Sequence, residues 1–270
     1  MKEYLDLVER VLTRGIRKHN RTGVDTISCF AEHYTIDLKK GFPLVTTKKV
    51  NFKALLYEVL WYLSGEDHIR NLRTKTKIWD AWADADGNLE TAYGRYWRRF
   101  PSAQIDPATG AYSVTEIDQI AEVMHLLRTQ PESRRMVVTA WEPGNALHSK
   151  LPPCHYTFAF NVSEGHLNCH LTQRSGDIAL GIPFNIAAYS LLTQAVAQDV
   201  GLTPGCFSHT IIDAHIYVNH IDGLREQLKR TPKPLPELRI ARKPLDELSF
   251  EDFELVNYTP DPAIRFDVAV

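Results

Sequence analysis

The stretch LPPCHYTFAF (151–160) contains a cysteine, Cys154, that could act as a nucleophile. A lone cysteine is more often a small buried hydrophobic residue than a reactive one. Two prolines fix the chain just before it, and the alternating apolar run that follows places it at the start of a strand. A thiolate there needs a nearby positive charge to lower its pKa. Residue type alone therefore does not decide whether Cys154 is a buried packing residue or a nucleophile.

The next predicted strand supplies a positive charge. Residues 156–162 and 166–174 have strand-like composition and flank Ser-Glu-Gly at 163–165, which is typical of a β-hairpin. Such a hairpin returns Arg174 roughly to the level of Cys154. The sequence therefore predicts a guanidinium near the thiol.

Further polar side chains follow in QRSGD (173–177). Arg174 offers a forked donor suited to phosphate oxygens, Ser175 a hydroxyl and Asp177 an acceptor. Three more arginines lie beside strand-like segments: Arg21, Arg134 and Arg135. No long basic run interleaved with aromatic residues is present, so the four arginines indicate an anion site rather than a nucleic-acid surface. Taken singly, each is also compatible with a solvated surface.

Two later motifs could recognise a small polar ligand. Asn185 stands where a helix is predicted to begin, so its default role is that of an N-cap. Its carboxamide also matches the O4 acceptor and N3–H donor of a uracil edge, and mismatches cytosine at both positions. His215 and Tyr217 in DAHIY share one face of a strand, although each alone is more typical of core or surface. No metal-ligand spacing such as His-Glu-x-x-His occurs, so we expect no metal.

Two helices are predicted in the first quarter of the chain. Helical spacing of apolar residues predicts an amphipathic N-terminal helix facing the core through Leu5, Val8, Leu12 and Ile16. A strongly apolar helix is predicted at 52–65, with a glycine stop at Gly65. Glu58 is unusual on so apolar a segment, and it marks either an exposed face or a site.

The remaining pattern predicts strands, one long helix and one loop. Strands are predicted at 26–38, 136–141, 156–162, 166–174 and 210–218, and a short edge strand at LRIA (238–241). In the first strand, the period-two positions are Phe30, Tyr34, Ile36 and Leu38. A helix at 185–201 starts after Pro183 and ends at Gly201, and residues 97–114 are predicted to be a loop. Without regular βαβ alternation, the fold class is α+β: a single domain, 1–270, on a mixed sheet flanked by helices.

Composition narrows the class of protein. The chain has 270 residues, 44% of them hydrophobic, and a formal net charge of -2, which gives no global indication of nucleic acid or membrane binding. None of the four cysteines forms a Cys-x-x-Cys pair: Cys29, Cys154, Cys169 and Cys206. No apolar signal-peptide core or bilayer-length run is present. We therefore expect a cytoplasmic protein with reduced thiols.

Read in order, PPCH, QRSGD, GIPFNIAAY and DAHIY make the chain resemble the folate-dependent, cysteine-using thymidylate synthase family. Other stretches agree with that family: RTG (21–23), FPLVTTKK (42–49), KIWDAWAD (77–84), YGRYWR (93–98), SRRM (133–136) and the C-terminal VAV. The resemblance covers essentially the whole chain in family order, and this many motifs together are very specific.

The resemblance implies an activity and a set of catalytic residues. Members of that family convert dUMP to dTMP, with 5,10-methylenetetrahydrofolate as the carbon and hydride donor, and release dihydrofolate. By resemblance, Cys154 is the thiolate that adds to uracil C6, which makes C5 enolate-like. The resemblance also gives catalytic roles to Glu58, Tyr93, His155, Arg174, Asp177 and Asn185.

It further implies two binding sets and a homodimer. The dUMP set is Arg21, Arg134, Arg135, Arg174, Ser175, Asp177, Asn185, His215 and Tyr217. The folate set is Lys48, Lys49, Trp79, Trp82, Asp177, Gly181, Phe184, Ala269 and Val270, the C-terminal residue folding over the ligands. Arg134 and Arg135 are implied to cross to the partner's phosphate site in a homodimer whose sheets pack together.

Two other functions are weighed against this one. A pyrimidine-nucleotide hydroxymethylase on the same fold would add water to the C5 methylene and skip hydride transfer. Asn185 favours a uracil substrate over the cytosine of such an enzyme. A non-catalytic nucleotide-binding dimer is the third alternative, and the presence of Cys154, Glu58 and Tyr93 argues against it.

Overall fold

A six-stranded sheet lies at the centre of the computed structural model, which describes residues 1–90 and 92–268. The described strands are β1 (Ile16–Lys18), β2 (Thr26–Asp37), β3 (Phe100–Ile105), β4 (Tyr112–Ile117), β5 (Val137–Thr139), β6 (Thr157–Ser163), β7 (His166–Asp177), β8 (Thr203–Tyr217), β9 (Glu237–Ile240) and β10 (Phe253–Val256). The described α-helices are α1 (Lys2–Arg14), α2 (Phe52–Ser64), α3 (Arg70–Arg73), α4 (Tyr93–Arg98), α5 (Gln119–Thr129), α6 (Pro143–Ala146), α7 (Gly181–Val200) and α8 (Ile221–Leu228). Short 3-10 helices lie at Leu38–Lys40, Val218–His220, Leu245–Glu247 and Phe250–Asp252.

The central sheet is mixed. Its strand order is β1-β2-β8-β7-β6-β5, and β7 and β8 are parallel whereas the other neighbours are antiparallel. Parallel neighbours need a crossover, which α7 provides between β7 and β8. Helices α1 and α7 pack on the sheet, and α2 packs on α7. The predicted α+β class on a mixed sheet flanked by helices is confirmed.

The predicted hairpin has the expected turn. Ser163 pairs with His166, so Glu164 and Gly165 form a two-residue loop. Both have left-handed φ, 50° and 74°, as the primed turns of tight hairpins require. Strand β7 then runs on to Asp177, three residues beyond the predicted end, and carries the whole of QRSGD within the sheet.

Helix α7 begins earlier than predicted. The predicted end is confirmed, because Gly201 closes the helix with a left-handed φ of 74°. At the other end the first helical residue is Gly181, so Asn185 lies in the second turn and is not an N-cap. Pro183 lies inside the first turn, where a missing N–H leaves no bond unmade. Asp177, at the end of β7, accepts hydrogen bonds from the backbone N–H groups of Ala179 and Leu180 just before it.

Helix α1 is confirmed, but its buried face differs from the prediction. The buried residues are Tyr4, Leu7, Val8 and Val11. Leu5 and Leu12 flank this face and are only partly buried. Ile16 lies beyond the helix end in β1 and is 72% exposed. The helical spacing of the apolar residues was predicted correctly, but the buried face of the helix includes Tyr4 instead of Leu5. Burial of Tyr4 is favoured because its ring has a larger apolar surface.

The predicted strand at 26–38 is confirmed as β2, but the predicted loop at 97–114 is wrong. Phe30 in β2 is 81% exposed, because the next residue, Ala31, has a left-handed φ of 58° that interrupts the alternation of the strand. The predicted loop at 97–114 contains the end of α4 and most of the β3–β4 hairpin. This hairpin is exposed, so turn-forming residues dominate its composition while its pairing is local.

One face of the central sheet is covered by helices, and the other has exposed side chains. Alternate residues of β7, from Leu167 to Gln173, are buried against the helices. On the other face, Val137 is 49% exposed and His33 is exposed. Within residues 1–90 and 92–268, no helix combines the length and the apolar character needed to cross a membrane.

Candidate active site

A cavity of about 960 Å³ opens where β7 ends and α7 begins. A volume of that size is at the upper end for small-molecule sites and leaves room for two ligands side by side. It brings together most of the residues that the sequence predicts: Arg21, Glu58, Trp79, Trp82, Tyr93, Cys154, His155, Arg174, Ser175, Asp177, Gly181, Phe184, Asn185, His215 and Tyr217.

Four predicted residues do not line this cavity. Arg134 and Arg135 precede β5 and are exposed, as is Lys49. Lys48 is only 5% exposed: its Nζ donates to the carbonyl of Ala179 and lies 4.6 Å from the centre of the Phe266 ring. Burial lowers its pKa to about 8. Lys48, which the resemblance places in the folate set, is therefore held inside the protein by Ala179 and Phe266 and does not face the cavity. Ala269 and Val270 lie outside the described residues.

Cys154 and Arg174 are adjacent, as the hairpin predicted. The backbone N–H of Arg174 donates to the carbonyl of Cys154 at 2.8 Å, and Nη2 of Arg174 lies 3.5 Å from Sγ. The guanidinium also donates to the carbonyls of Pro152, at 2.6 Å, and Pro153, at 2.9 Å. The two prolines therefore supply acceptors that hold the guanidinium against the sulfur.

The charge state of Cys154 is a balance between burial and the arginines. Burial raises the pKa of the thiol above its ordinary value, and the charges of Arg174 and Arg21 act in the opposite direction. The sequence predicted that Arg174 favours the thiolate, and its charge does so. Burial outweighs it in the protein alone, so the thiol is mostly protonated at neutral pH.

Tyr93 and His155 form a buried stack behind the cysteine. The Tyr93 hydroxyl accepts from the backbone N–H of Cys154 at 2.7 Å, and its ring lies 3.7 Å from the His155 ring at an angle of 7°. Nδ1 of His155 lies 2.7 Å from the Tyr189 hydroxyl. Burial lowers the pKa of His155 to about 3, so its imidazole is neutral at any physiological pH.

Glu58 is placed among aromatic side chains. Nε1 of Trp79 donates to its carboxylate at 2.7 Å. Burial raises the pKa of Glu58 to about 7, and hydrogen bonds with Tyr62 and Trp79 partly oppose that rise. A carboxyl group with a pKa near the working pH can both hold and release a proton. Tyr62 was missed in the sequence, although it stands four residues after Glu58 on one helix face.

The carboxamide of Asn185 has a buried neighbour. Nε2 of Gln173 donates to Oδ1 of Asn185 at 3.2 Å and to the carbonyl of Ser175 at 2.9 Å. Gln173 lines the cavity and is only 3% exposed. It was not singled out from the sequence, because nothing in QRSGD shows that its first residue points inward.

His215 and Tyr217 share the strand face that the sequence predicts, with ring centres 5.2 Å apart. Nδ1 of His215 lies 3.2 Å from the carboxylate of Asp213, which also accepts from Nζ of Lys18 at 2.9 Å. These bonds, that of His215 first, lower the pKa of Asp213 to about 2. An ionised Asp213 holds the proton of His215 on Nδ1 and leaves Nε2 as an acceptor. The sequence signal for Asp213 was its position two residues before His215.

Part of the cavity wall is apolar. Trp79, Trp82, Phe184 and Leu192 line it, and the Asp177 carboxylate is close by. Flat aromatic surfaces with one acceptor suit a heteroaromatic ring that carries N–H donors. In residues 1–90 and 92–268, no three His, Cys, Asp or Glu side chains come together as a metal site would need.

Comparison with known proteins agrees with this geometry. A family profile described as thymidylate synthase matches residues 2–270. A thymidylate synthase of Haloferax volcanii is 45% identical over 326 aligned residues, which cover 98% of this chain and 95% of the relative. The chain therefore belongs to the thymidylate synthase family, whose members are methyltransferases of nucleotide biosynthesis.

Proposed function

We propose that this chain converts dUMP to dTMP and that Cys154 is the nucleophile that adds to uracil C6. The observation that carries the proposal is the contact between Nη2 of Arg174 and Sγ of Cys154, at 3.5 Å in a cavity of nucleotide size. A guanidinium in that position favours the thiolate, which is the reactive form of cysteine.

The nucleotide phosphate is assigned to the cationic end of the cavity. Arg21, Arg174 and Ser175 line that end, and arginine forks match phosphate oxygens in a bidentate manner. The ribose is assigned to His215 and Tyr217, since Nε2 of His215 is free to accept from a hydroxyl. This arrangement leaves the base beside Cys154 and Asn185.

The Asn185 carboxamide has two tasks in this proposal. It recognises the uracil edge, because it donates to O4 and accepts from N3–H. When sulfur adds to C6, the S–C6 bond forms as the C5=C6 π bond breaks, and the negative charge is shared between C5 and O4. The N–H of Asn185 then stabilises that charge, in the manner of an oxyanion hole.

Glu58 is assigned to proton handling at the pyrimidine. The carbon at C5 must lose its proton during the reaction, so a base is required. A pKa of about 7 lets Glu58 take up and return a proton near neutral pH. The Tyr93 hydroxyl holds the backbone N–H of Cys154, and the His155 ring stacks on Tyr93. Both side chains remain neutral, so they position the nucleophile without competing for its proton.

5,10-Methylenetetrahydrofolate supplies the one-carbon unit and the hydride when bound. Trp79, Trp82 and Phe184 form the apolar wall for it, and Gly181 gives close access beside Asp177. Ala269 and Val270 are proposed to cover the bound ligands and exclude water. Exposed Lys49 remains the proposed contact for the acidic glutamyl tail of the folate.

We further propose a homodimer that shares its sites, in the cytoplasm. Arg134 and Arg135 are exposed and outside the cavity of their own chain, so they are available to a partner's phosphate site. The uncovered sheet face, with Val137 at 49% exposure, is the surface that a second copy would cover. A mixing experiment tests this: combining inactive Cys154→Ala protein with inactive Arg134→Ala/Arg135→Ala protein should restore activity through hybrid dimers. No recovery in demonstrably mixed dimers would contradict shared sites.

One assay separates the three candidate functions. The protein is incubated with dUMP and methylenetetrahydrofolate, and both the pyrimidine and the folate are followed. Equal amounts of dTMP and dihydrofolate support the proposal. Hydroxymethyl-dUMP with tetrahydrofolate would indicate a hydroxymethylase, and absence of any turnover would indicate a nucleotide-binding dimer.

A further inference from the structure

A row of buried polar side chains lies behind Asn185, across three adjacent strands. The Tyr34 hydroxyl on β2 lies 2.6 Å from Nδ1 of His209, its direct cross-strand partner on β8. Nε2 of His209 lies 3.1 Å from Oε1 of Gln173 on β7. Gln173 in turn donates to Oδ1 of Asn185 at 3.2 Å. Gln173 and Asn185 both line the cavity, and Asn185 is the predicted ligand contact.

The three residues behind Asn185 are buried. Tyr34, His209 and Gln173 are 7%, 0% and 3% exposed. Groups this deeply buried cannot exchange a lost partner for bulk water, so each hydrogen bond in the row constrains the next. The hydrogen bonds of the row therefore link the orientation of the Asn185 carboxamide in the cavity to side chains in the core of the sheet.

The donors in the row run in one direction. The backbone carbonyl of Ser175 can only accept, so the Gln173 atom 2.9 Å from it is the amide nitrogen. Oε1 of Gln173 consequently faces His209, and His209 must carry its proton on Nε2. Nδ1 of His209 then accepts from the Tyr34 hydroxyl. Burial holds the pKa of His209 well below its ordinary value, so the ring carries this one proton.

We propose that Tyr34 and His209 are positioning residues that fix which way the Asn185 carboxamide faces, and so set the preference for a uracil over a cytosine edge. This inference rests on the proposed function of Asn185. Cytosine presents an acceptor at N3 and an amino donor at C4, the reverse of uracil. To bind it, the carboxamide would have to rotate and place its N–H₂ against Nε2 of Gln173, leaving two buried donors face to face.

The direct test is nucleotide binding in the absence of folate, which needs no catalysis. Dissociation constants for dUMP and dCMP are measured by calorimetry for the parent, Tyr34→Phe, His209→Leu and His209→Gln. His209→Leu removes the donor to Gln173 and should reduce the dUMP-over-dCMP preference by about tenfold. His209→Gln retains an amide donor and should recover part of the preference. Tyr34→Phe should have a smaller effect, about threefold.

Gln227→Leu is the matched control. Gln227 is 0% exposed and donates to Thr47 at 2.9 Å, outside the cavity lining, so its loss destabilises a buried polar site without touching the row. Its preference for dUMP should equal that of the parent.

An unchanged preference in folded His209→Leu, or an equal loss in Gln227→Leu, would overturn the inference. If His209→Leu does not fold, an unchanged preference in both Tyr34→Phe and His209→Gln would overturn it, and a graded loss would support it. A parent protein that fails to prefer dUMP would instead count against the proposed function.

Discussion

The two sides of the cavity treat buried charge in opposite ways. Around Cys154 are two arginines, one held 3.5 Å from the sulfur by proline carbonyls. Around Glu58 are aromatic side chains, and Trp79 and Tyr62 give it neutral hydrogen bonds. Burial raises the pKa of both groups, but only the thiol has positive charge acting against that rise.

This difference separates two kinds of chemistry within one pocket. The cationic side suits an anionic substrate and a group that must become an anion to react. The aromatic side keeps a carboxyl near half-protonation, which suits transfer of a proton in either direction. A single uniform environment could not give both properties, and substitutions on each side should therefore fail in different ways.

The largest effect is expected on the cationic side, at the nucleophile. Cys154→Ser should lower turnover of dUMP by more than about 10³-fold, because a neutral hydroxyl is a far weaker nucleophile than a thiolate. Steady-state dTMP formation measures it. Cys206→Ser is the control, since that cysteine does not line the cavity, and it should stay active. Equal activity of the two variants would contradict the assignment of Cys154.

On the aromatic side, Glu58→Gln should slow turnover by about 10²- to 10³-fold, because the amide cannot accept a proton. Binding of dUMP should change only a few-fold, since the proposed phosphate and base contacts are intact. Exposed Glu122→Gln is the control. A large loss of dUMP affinity with normal turnover would show that Glu58 acts in binding instead.

The burial of Glu58 should also affect how the free energy of unfolding depends on pH, and Glu58→Gln tests this. The folded-state pKa of about 7 exceeds the ordinary value of 4.5, so the folded state binds the extra proton and unfolding becomes easier as pH rises between these values. Glu58→Gln should therefore gain about 2 to 3 kcal/mol relative to the parent between pH 4.5 and 8. Urea unfolding at both pH values measures this difference. A difference that does not change with pH would mean that Glu58 is not buried as described.

The smallest effect concerns the charge on the thiol. Removing the guanidinium in Arg174→Met should raise the pKa of Cys154 further, so the pH dependence of its alkylation by iodoacetamide should shift to higher pH. Mass spectrometry of the Cys154 peptide gives the rate, and Arg128→Met serves as a remote control. A pH profile identical to the parent would contradict electrostatic control by Arg174.

Local sequence patterns predicted the helix ends and the hairpin that position the residues on both sides of the cavity. Glycine stops at Gly65 and Gly201 and the turn at Glu164-Gly165 depend on backbone preferences within a few residues. The hairpin register then follows from the turn, which is why Arg174 could be placed near Cys154 from sequence.

Features that depend on distant partners were not predictable. The start of α7 depends on Asp177 at the end of a strand, and the burial of Lys48 depends on Phe266 near the far end of the chain. Gln173 and Asp213 needed the strand register before their contacts could be assigned. Each case requires knowledge of which segments pack together, and residue periodicity carries none of that information.

The most direct test of the central claim is a covalent trap on Cys154. With 5-fluoro-dUMP and methylenetetrahydrofolate, fluorine occupies the place of the C5 proton that must leave, so the reaction should stop after sulfur has added to C6 and C5 has bonded to the methylene carbon of the folate. Peptide mass spectrometry should then find nucleotide and folate attached to Cys154. An adduct on Cys169 or Cys206, or no adduct while dTMP formation proceeds normally with dUMP, would contradict Cys154 as the nucleophile.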